Sequence, residues 1–156
     1  MKQAEEPGRI KREISRKSWL SIRAKSSFSE IQTLWDKLEL NLEWELIRKP
    51  ELRMVMVQGR TGGNGQAFNL GEMTVTRAAV RLKNGSAGLG YVQGRSKKQA
   101  ELCAVIDATL QTPANHSKVV NNLINPLKDN LDGLKKSRSK KAANTKVDFF
   151  TLVRGH

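Results

Sequence analysis

Cysteine is almost absent from this chain. Cys103 is the only one in 156 residues, so no intrachain disulfide can form, and a reducing compartment is expected. Aromatic residues are scarce as well, with four Phe, three Trp and one Tyr. That limits what a small core can bury, and a chain this lean is expected to complete its core through partners. The two histidines, His116 and His156, have no cysteine or acidic residue at metal-ligand spacing, so no metal site is expected. No apolar run approaches the roughly 18 residues that span a bilayer. The N-terminus is charged and carries no signal-like apolar stretch. A cytoplasmic protein with no membrane association is the expectation.

Acidic residues are outnumbered 15 to 28 by Lys and Arg, for a net charge of +13. The excess is uneven: residues 1–26 carry +5, residues 27–50 carry −2, residues 51–100 carry +6 and residues 101–156 carry +4. Nucleic acid, an acidic protein surface or a polyphosphate are the counterparts such a balance suits. A helix-turn-helix signature, a zinc finger and an aromatic RNA-binding motif are all missing. Nucleic-acid contact is therefore expected to be nonspecific only, and a basic nucleic-acid-binding module stands as the alternative function.

The pattern along the chain predicts an α+β fold: an antiparallel sheet with an N-terminal helical hairpin and C-terminal helices. Residues 1–9 read as a flexible tail, and 10–156 as a single domain. Ile14, Trp19, Leu20 and Ile22 form the apolar stripe of a helix over Ile10–Ala24. Ser27 or Ser29 caps a second helix, with Glu30 in its first turn and Ile31, Leu34, Trp35 and Leu38 on one face. Leu42–Ile47 alternates like a half-buried strand, Pro50 interrupts it as a turn, and Leu52–Gln58 resumes it. After a Gly62–Gly65 loop, Glu72–Leu82 is a long strand. Asn84-Gly85 turns it into a return strand, Gly88–Gln93. Ser96 caps a helix through Gln111 that Pro113 ends. A helix near Asn115–Ile124 is broken at Pro126, and a weakly apolar helical segment follows over Leu127–Leu134. Lys135–Lys146 is a basic segment, either an exposed helix end or mobile. Val147–Val153 is a strand-like run, paired into the sheet or onto a partner. Trp19, Trp35 and Trp44 are expected in the core.

The stretch Val57–Arg81 holds the candidate site. Gly62, Gly63 and Gly65 permit backbone geometry and close approach that other residues resist. Arg60, Arg77 and Arg81 flank them with forked donors suited to phosphate or carboxylate. Arg77 and Arg81, four apart in a strand, share a face; a solvated or salt-bridged surface is the plainer reading of that pair. Gln93 and Arg95, at the exit of the neighbouring strand, are placed to join them. The glycines are not a P-loop, since no Lys-Ser/Thr follows. Nor are they a dinucleotide fingerprint, because Phe68 stands where the third glycine should be. A hairpin loop, or a loop touching a ligand or partner, are the two readings left open. Catalytic groups are scarce elsewhere. Cys103 reads as a small core residue, Asp107 as structural, and Glu101 and Asp107, six apart, do not share a helix face well. No self-contained active site is expected.

Several strings together resemble the PhnG family, the G subunit of the bacterial carbon–phosphorus lyase core complex. They are Arg60-Thr61-Gly62-Gly63-Asn64-Gly65, then Phe68, Gly71-Glu72 and Thr74–Leu82. Tyr91–Arg95, Ala100–Ala104, Ile106–Ala108 and Val147–Gly155 continue the match, so that it covers roughly residues 15–155. The basic ends, the extended N-terminus and the Lys135–Lys146 cluster depart from the family pattern. The resemblance implies a role in phosphonate use, with the H, I, J and K subunits as partners, chiefly I, and a functional association with L. It implies support for exchange of the adenine of ATP for an alkylphosphonate, giving a ribose 1-alkylphosphonate 5-triphosphate. ATP is then a substrate of the complex, and this chain alone binds no cofactor. No catalytic residue carries over. Arg60, Gly62, Gly63, Gly65, Arg77, Arg81, Gln93 and Arg95 become partner-contact residues first and phosphate contacts second.

Overall fold

A computed structural model describes residues 14–145; the expected tail 1–9 and the expected strand Val147–Val153 lie outside them. Serine caps set the N-terminal helices. The Ser15 hydroxyl accepts from the Ser18 N–H at the start of α1 (Arg16–Lys25). At α2 (Phe28–Asp36) Ser27 and Glu30 form a reciprocal capping box, a device worth about 0.5–2 kcal/mol. Only Ser26 and Ser27 link the two helices. Each leans on the body more than on its neighbour: α1 packs on the later helices and the third strand, α2 on the turn near Val120.

Among the described residues the sheet is three antiparallel strands, β1 (Trp44–Arg60), β2 (Ala67–Leu82) and β3 (Ala87–Gln93), in the order β1-β2-β3. Pro50 does not end a strand as expected. β1 runs through it, and the pairing with β2 shifts register between Leu46 and Glu51. Proline lacks the N–H a central strand needs, but β1 is an edge strand, and a bulge there absorbs the missing donor. The β2–β3 turn forms at Asn84-Gly85, where the Gly85 N–H donates to the Leu82 carbonyl.

Ser96 caps α3 (Lys97–Leu110). Pro113 then opens α4 (Pro113–Val119) at its first turn, where its missing N–H would be unpaired anyway. The expected break at Pro126 is absent. One π-helical turn, Val120–Ile124, joins α4 to α5 (Asn125–Asn144) without interruption. The Asn125 N–H reaches back to the Val120 carbonyl, so the wider turn takes up the strain that a proline otherwise places on a helix. The basic stretch from Lys135 is the exposed end of α5 as far as Asn144.

The core lies between α3 and one face of the sheet, closed by the N-terminal helices and by Val119, Leu123 and Leu127. Its tightest contact is glycine on alanine. Gly88 and Gly90 of β3 face α3, and a Cβ on either would overlap the backbone of Ala104 and Ala108, or of Ala100. Trp19 is buried and Trp35 packs partly against the core. Trp44 differs from the expectation: it is 43% exposed, with its indole N–H donating to Glu101 at 3.2 Å. Leu46 and Ile47 are exposed too, because β1 is the outer strand and α3 packs chiefly over β2 and β3.

Candidate functional site

The predicted site residues sort into separate places. Arg77 and Arg81 lie on the sheet face turned away from α3, opposite Glu51 and Glu45 of β1. The Glu51 Oε1 accepts from Arg77 Nε at 2.7 Å and Arg48 Nη1 at 2.9 Å, while its Oε2 accepts from Arg53 Nη2 at 3.2 Å. Hydrogen bonds from Arg48 and Arg77, with the charge of Arg53 behind them, lower the Glu51 carboxyl to about 2. Arg81 makes a looser pair with Glu45 at 3.4 Å. Three guanidiniums around one carboxylate leave a net positive spot with spare forked donors. Tyr91, paired with Arg77 from β3, stands beside it and is exposed. An incoming anion there competes with Glu51 rather than entering an empty cradle. Titration of Glu51 by carbon-detected NMR is expected to give a value near 2. In Arg77→Ala it is expected to rise toward the ordinary range near 4.3. An unmoved titration would show that Arg77 does not hold the carboxylate.

Arg60 and the glycines sit elsewhere. Residues Thr61–Gly63 form the turn between β1 and β2, with Gly62 at φ +60° and Gly63 at φ +84°, values that favour glycine. Arg60 donates to the Gly65 carbonyl at 3.2 Å, within that turn. Arg60 pairs with Ala67, ten residues along β2 from Arg77, which is roughly 30 Å at strand rise. The arginines therefore do not converge on one anion. Gln93 lines an open groove of about 1080 Å³ between α1 and α5, whose rim carries Lys17, Lys25, Lys128 and Arg138 against Asp132. Arg95 follows on the loop beyond Gly94 and is exposed.

The distal part of the β1–β2 ribbon is what pattern reading missed. β3 pairs with β2 only from Val75 to Arg81, so among the described residues the ribbon beyond has two strands and no third. It carries Met54 and Leu70, each 63% exposed, together with exposed Met56 and Phe68. The available signal was the alternation Leu52, Met54, Met56, which reads equally well as a buried strand.

A buried ion network was also missed. Arg23 of α1 and Asp107 of α3 are both buried, 3.8 Å apart. Asp107 also accepts from Arg16 and from the Trp19 indole N–H, each at 2.8 Å, and from the Leu89 backbone N–H at 2.9 Å. Burial pushes the Asp107 carboxyl upward. The bonds from Arg16, Trp19 and Leu89, with the charge of Arg23, outweigh it and leave the group below its ordinary value. Burial lowers Arg23, yet a guanidinium stays charged at neutral pH, and it donates to the Cys103 carbonyl. Burial raises the Cys103 thiol, which matches an inert core cysteine. The spacing of Arg16, Trp19 and Arg23 on one helix face was the sequence signal, hidden because arginine is exposed by default. His116 holds its Nδ1 2.7 Å from the Leu110 carbonyl and stacks edge-on against Trp19. Among the described residues, no three His, Cys, Asp or Glu side chains gather as metal ligands, and no helix is long and apolar enough to cross a membrane.

The family model described as phosphonate metabolism protein PhnG matches residues 14–155. The chain belongs to the PhnG family. A curated relative, the alpha-D-ribose 1-methylphosphonate 5-triphosphate synthase subunit PhnG of Rhizobium meliloti (strain 1021), is 39% identical over 140 residues. That alignment covers 90% of this chain and 89% of the relative. The resemblance read from the strings at Arg60–Gly65 and Thr74–Leu82 is thereby borne out, and the α+β architecture with helices before and after an antiparallel sheet is the one observed.

Proposed function

We propose that the chain is the G-type subunit of a ribose 1-alkylphosphonate 5-triphosphate synthase in the carbon–phosphorus lyase system. There it supports conversion of ATP and an alkylphosphonate to that product and adenine. One observation carries the proposal: 39% identity across nearly the whole of a relative whose name is that of a synthase subunit. The chain contributes contact surface rather than an active site of its own. Its partners are the H, I, J and K subunits, chiefly I, with L acting alongside them in the cytoplasm. It brings no cofactor. The glycine turn and Arg60, Arg77, Arg81, Gln93 and Arg95 are assigned to subunit contact before phosphate contact. The ion pairs already made by Arg77 and Arg81 support that order, since a free anion must displace a carboxylate that is held in place.

Co-expression with an I subunit tests the reading. The two chains are expected to co-purify as one species, and the isolated chain is expected to show no turnover of ATP with methylphosphonate. Synthesis of the ribose phosphonate by the purified chain alone would overturn it.

A further inference from the structure

We propose that the distal ribbon, Arg53–Thr74, is an insertion arm that enters an apolar cleft with acidic groups at its floor, on a different polypeptide of the assembly. The proposal rests on the subunit reading above and adds the mode of contact and the chemistry of the surface contacted.

Among the described residues, the ribbon extends beyond every element that supports the rest of the sheet. β3 stops pairing at Val75, and the core ends with the same stretch of β2. A two-stranded hairpin in water is marginal at best, so a ribbon of this length gains most by being buried. Its side chains suit burial on two sides. Strand alternation and the pairing of Val55 with Met73 and of Gly59 with Phe68 place Val55, Val57, Phe68, Leu70 and Met73 on one side. Gly59 makes room there: a Cβ on it would stand 2.8 Å from Leu70 Cδ1 and 3.2 Å from Phe68 Cζ. Met54 and Met56 stand on the other side among Thr74, Glu72, Gln58 and Asn69, next to Leu52 at the base of the arm, and all three apolar side chains are exposed. A ribbon lying flat on a surface buries one side and leaves the other wet. Exposed apolar side chains on both sides match a cleft with two walls, and methionine adapts to such walls readily. Exposed apolar area of this extent marks an interaction site. The 22 residues from Arg53 to Thr74 also supply the roughly 20–30 residues that one side of a standard interface uses.

Charge selects the occupant. Two copies of a +13 chain repel each other, and that repulsion opposes self-association through this surface. At the tip, the one side-chain hydrogen bond of Arg60 among the described residues is to the Gly65 carbonyl. A guanidinium has five donors, and burying it requires acceptors for the rest. Carboxylates at the floor of the cleft meet that need.

The test uses the full chain with co-expressed H, I, J and K subunits. In the assembly, backbone amides of residues 53–74 are expected to gain protection from hydrogen exchange relative to the free chain. The double substitution Met56→Ser with Leu70→Ser, at two exposed positions, is expected to weaken assembly by at least about 30-fold, the size of an interface hot spot, with the circular dichroism of the free chain unchanged. Unaltered exchange in the assembled wild type overturns the proposal whether or not the variant folds, and so does unaltered affinity of a folded variant. A wild-type homodimer dissolved by the same substitutions makes a second copy the occupant and also overturns it. Failure of the wild type to assemble removes the subunit reading together with the arm, whereas assembly with an unprotected ribbon removes the arm alone.

Discussion

Replacing Asp107 with alanine is expected to cost about 3–5 kcal/mol of unfolding free energy, the range for breaking a buried ion pair by removing one partner. The carboxylate is buried and anchors Arg16, Trp19, Arg23 and the Leu89 N–H at once. Its loss leaves the Arg23 guanidinium charged and buried, and strips an acceptor from the indole and from the backbone of β3. Against a total stability of about 5–15 kcal/mol for a domain, that is a severe loss. Arg16→Ala is the comparison: this side chain is 45% exposed, and its removal is expected to cost no more than about 1 kcal/mol. The pH dependence has a definite sign. Asp107 in the folded chain titrates below its ordinary value, so its contribution is complete above the unfolded value near 3.9 and is lost as pH falls through the folded one. Urea unfolding of wild type and Asp107→Ala across acid pH checks both points. The gap between them is expected to be full at neutral pH and to close in strong acid. A gap that does not change with pH would mean that the lost stability is packing rather than charge.

The second large effect is expected at Gly90. Gly90→Val places side-chain carbon where the Ala100 carbonyl of α3 already lies, and Gly88 stands in the same relation to Ala104 and Ala108. Backbone cannot swing aside as a flexible side chain does, so α3 and β3 must separate. The Ala100, Ala104 and Ala108 stripe then loses its partner. About 3 kcal/mol is expected, the upper end of the range for overpacking. Gly133 supplies the contrast. It lies inside α5 with nothing within 4 Å of an added Cβ, so Gly133→Ala is expected to stabilise by about 0.5–1 kcal/mol through helix propensity. Denaturant midpoints for the two variants, moving in opposite directions, are the measurement. Equal midpoints would show that the glycines of β3 are not needed for the approach.

These positions also show where pattern reading stops. Ser27 with Glu30, and Ser96 before α3, were legible as caps because a cap is made by residues within one turn. The Asn84-Gly85 turn was legible for the same reason. Pro50 and Pro126 misled, since the local rule that proline breaks an element yields when the element lies at a sheet edge or can widen by one π turn. Trp44 looked like core because aromatic residues usually are, and it stands exposed because it lies on the outer strand, at the margin of the helix that covers β2 and β3.

From the order of its residues alone, this chain was identifiable as a member of its family, as α+β, and as strongly cationic. Those properties reside in short strings, in residue period and in composition, which need no fold to exist. Tertiary structure alone decided that Arg23 is buried against Asp107, and that Gly88 and Gly90 admit a helix. It also separated Arg60 from Arg77 by most of a long strand and, among the described residues, left the distal ribbon uncovered on both sides. Each of these depends on which distant segments meet: burial, close approach and exposure belong to pairs of elements, and neither member of a pair carries them in its own sequence.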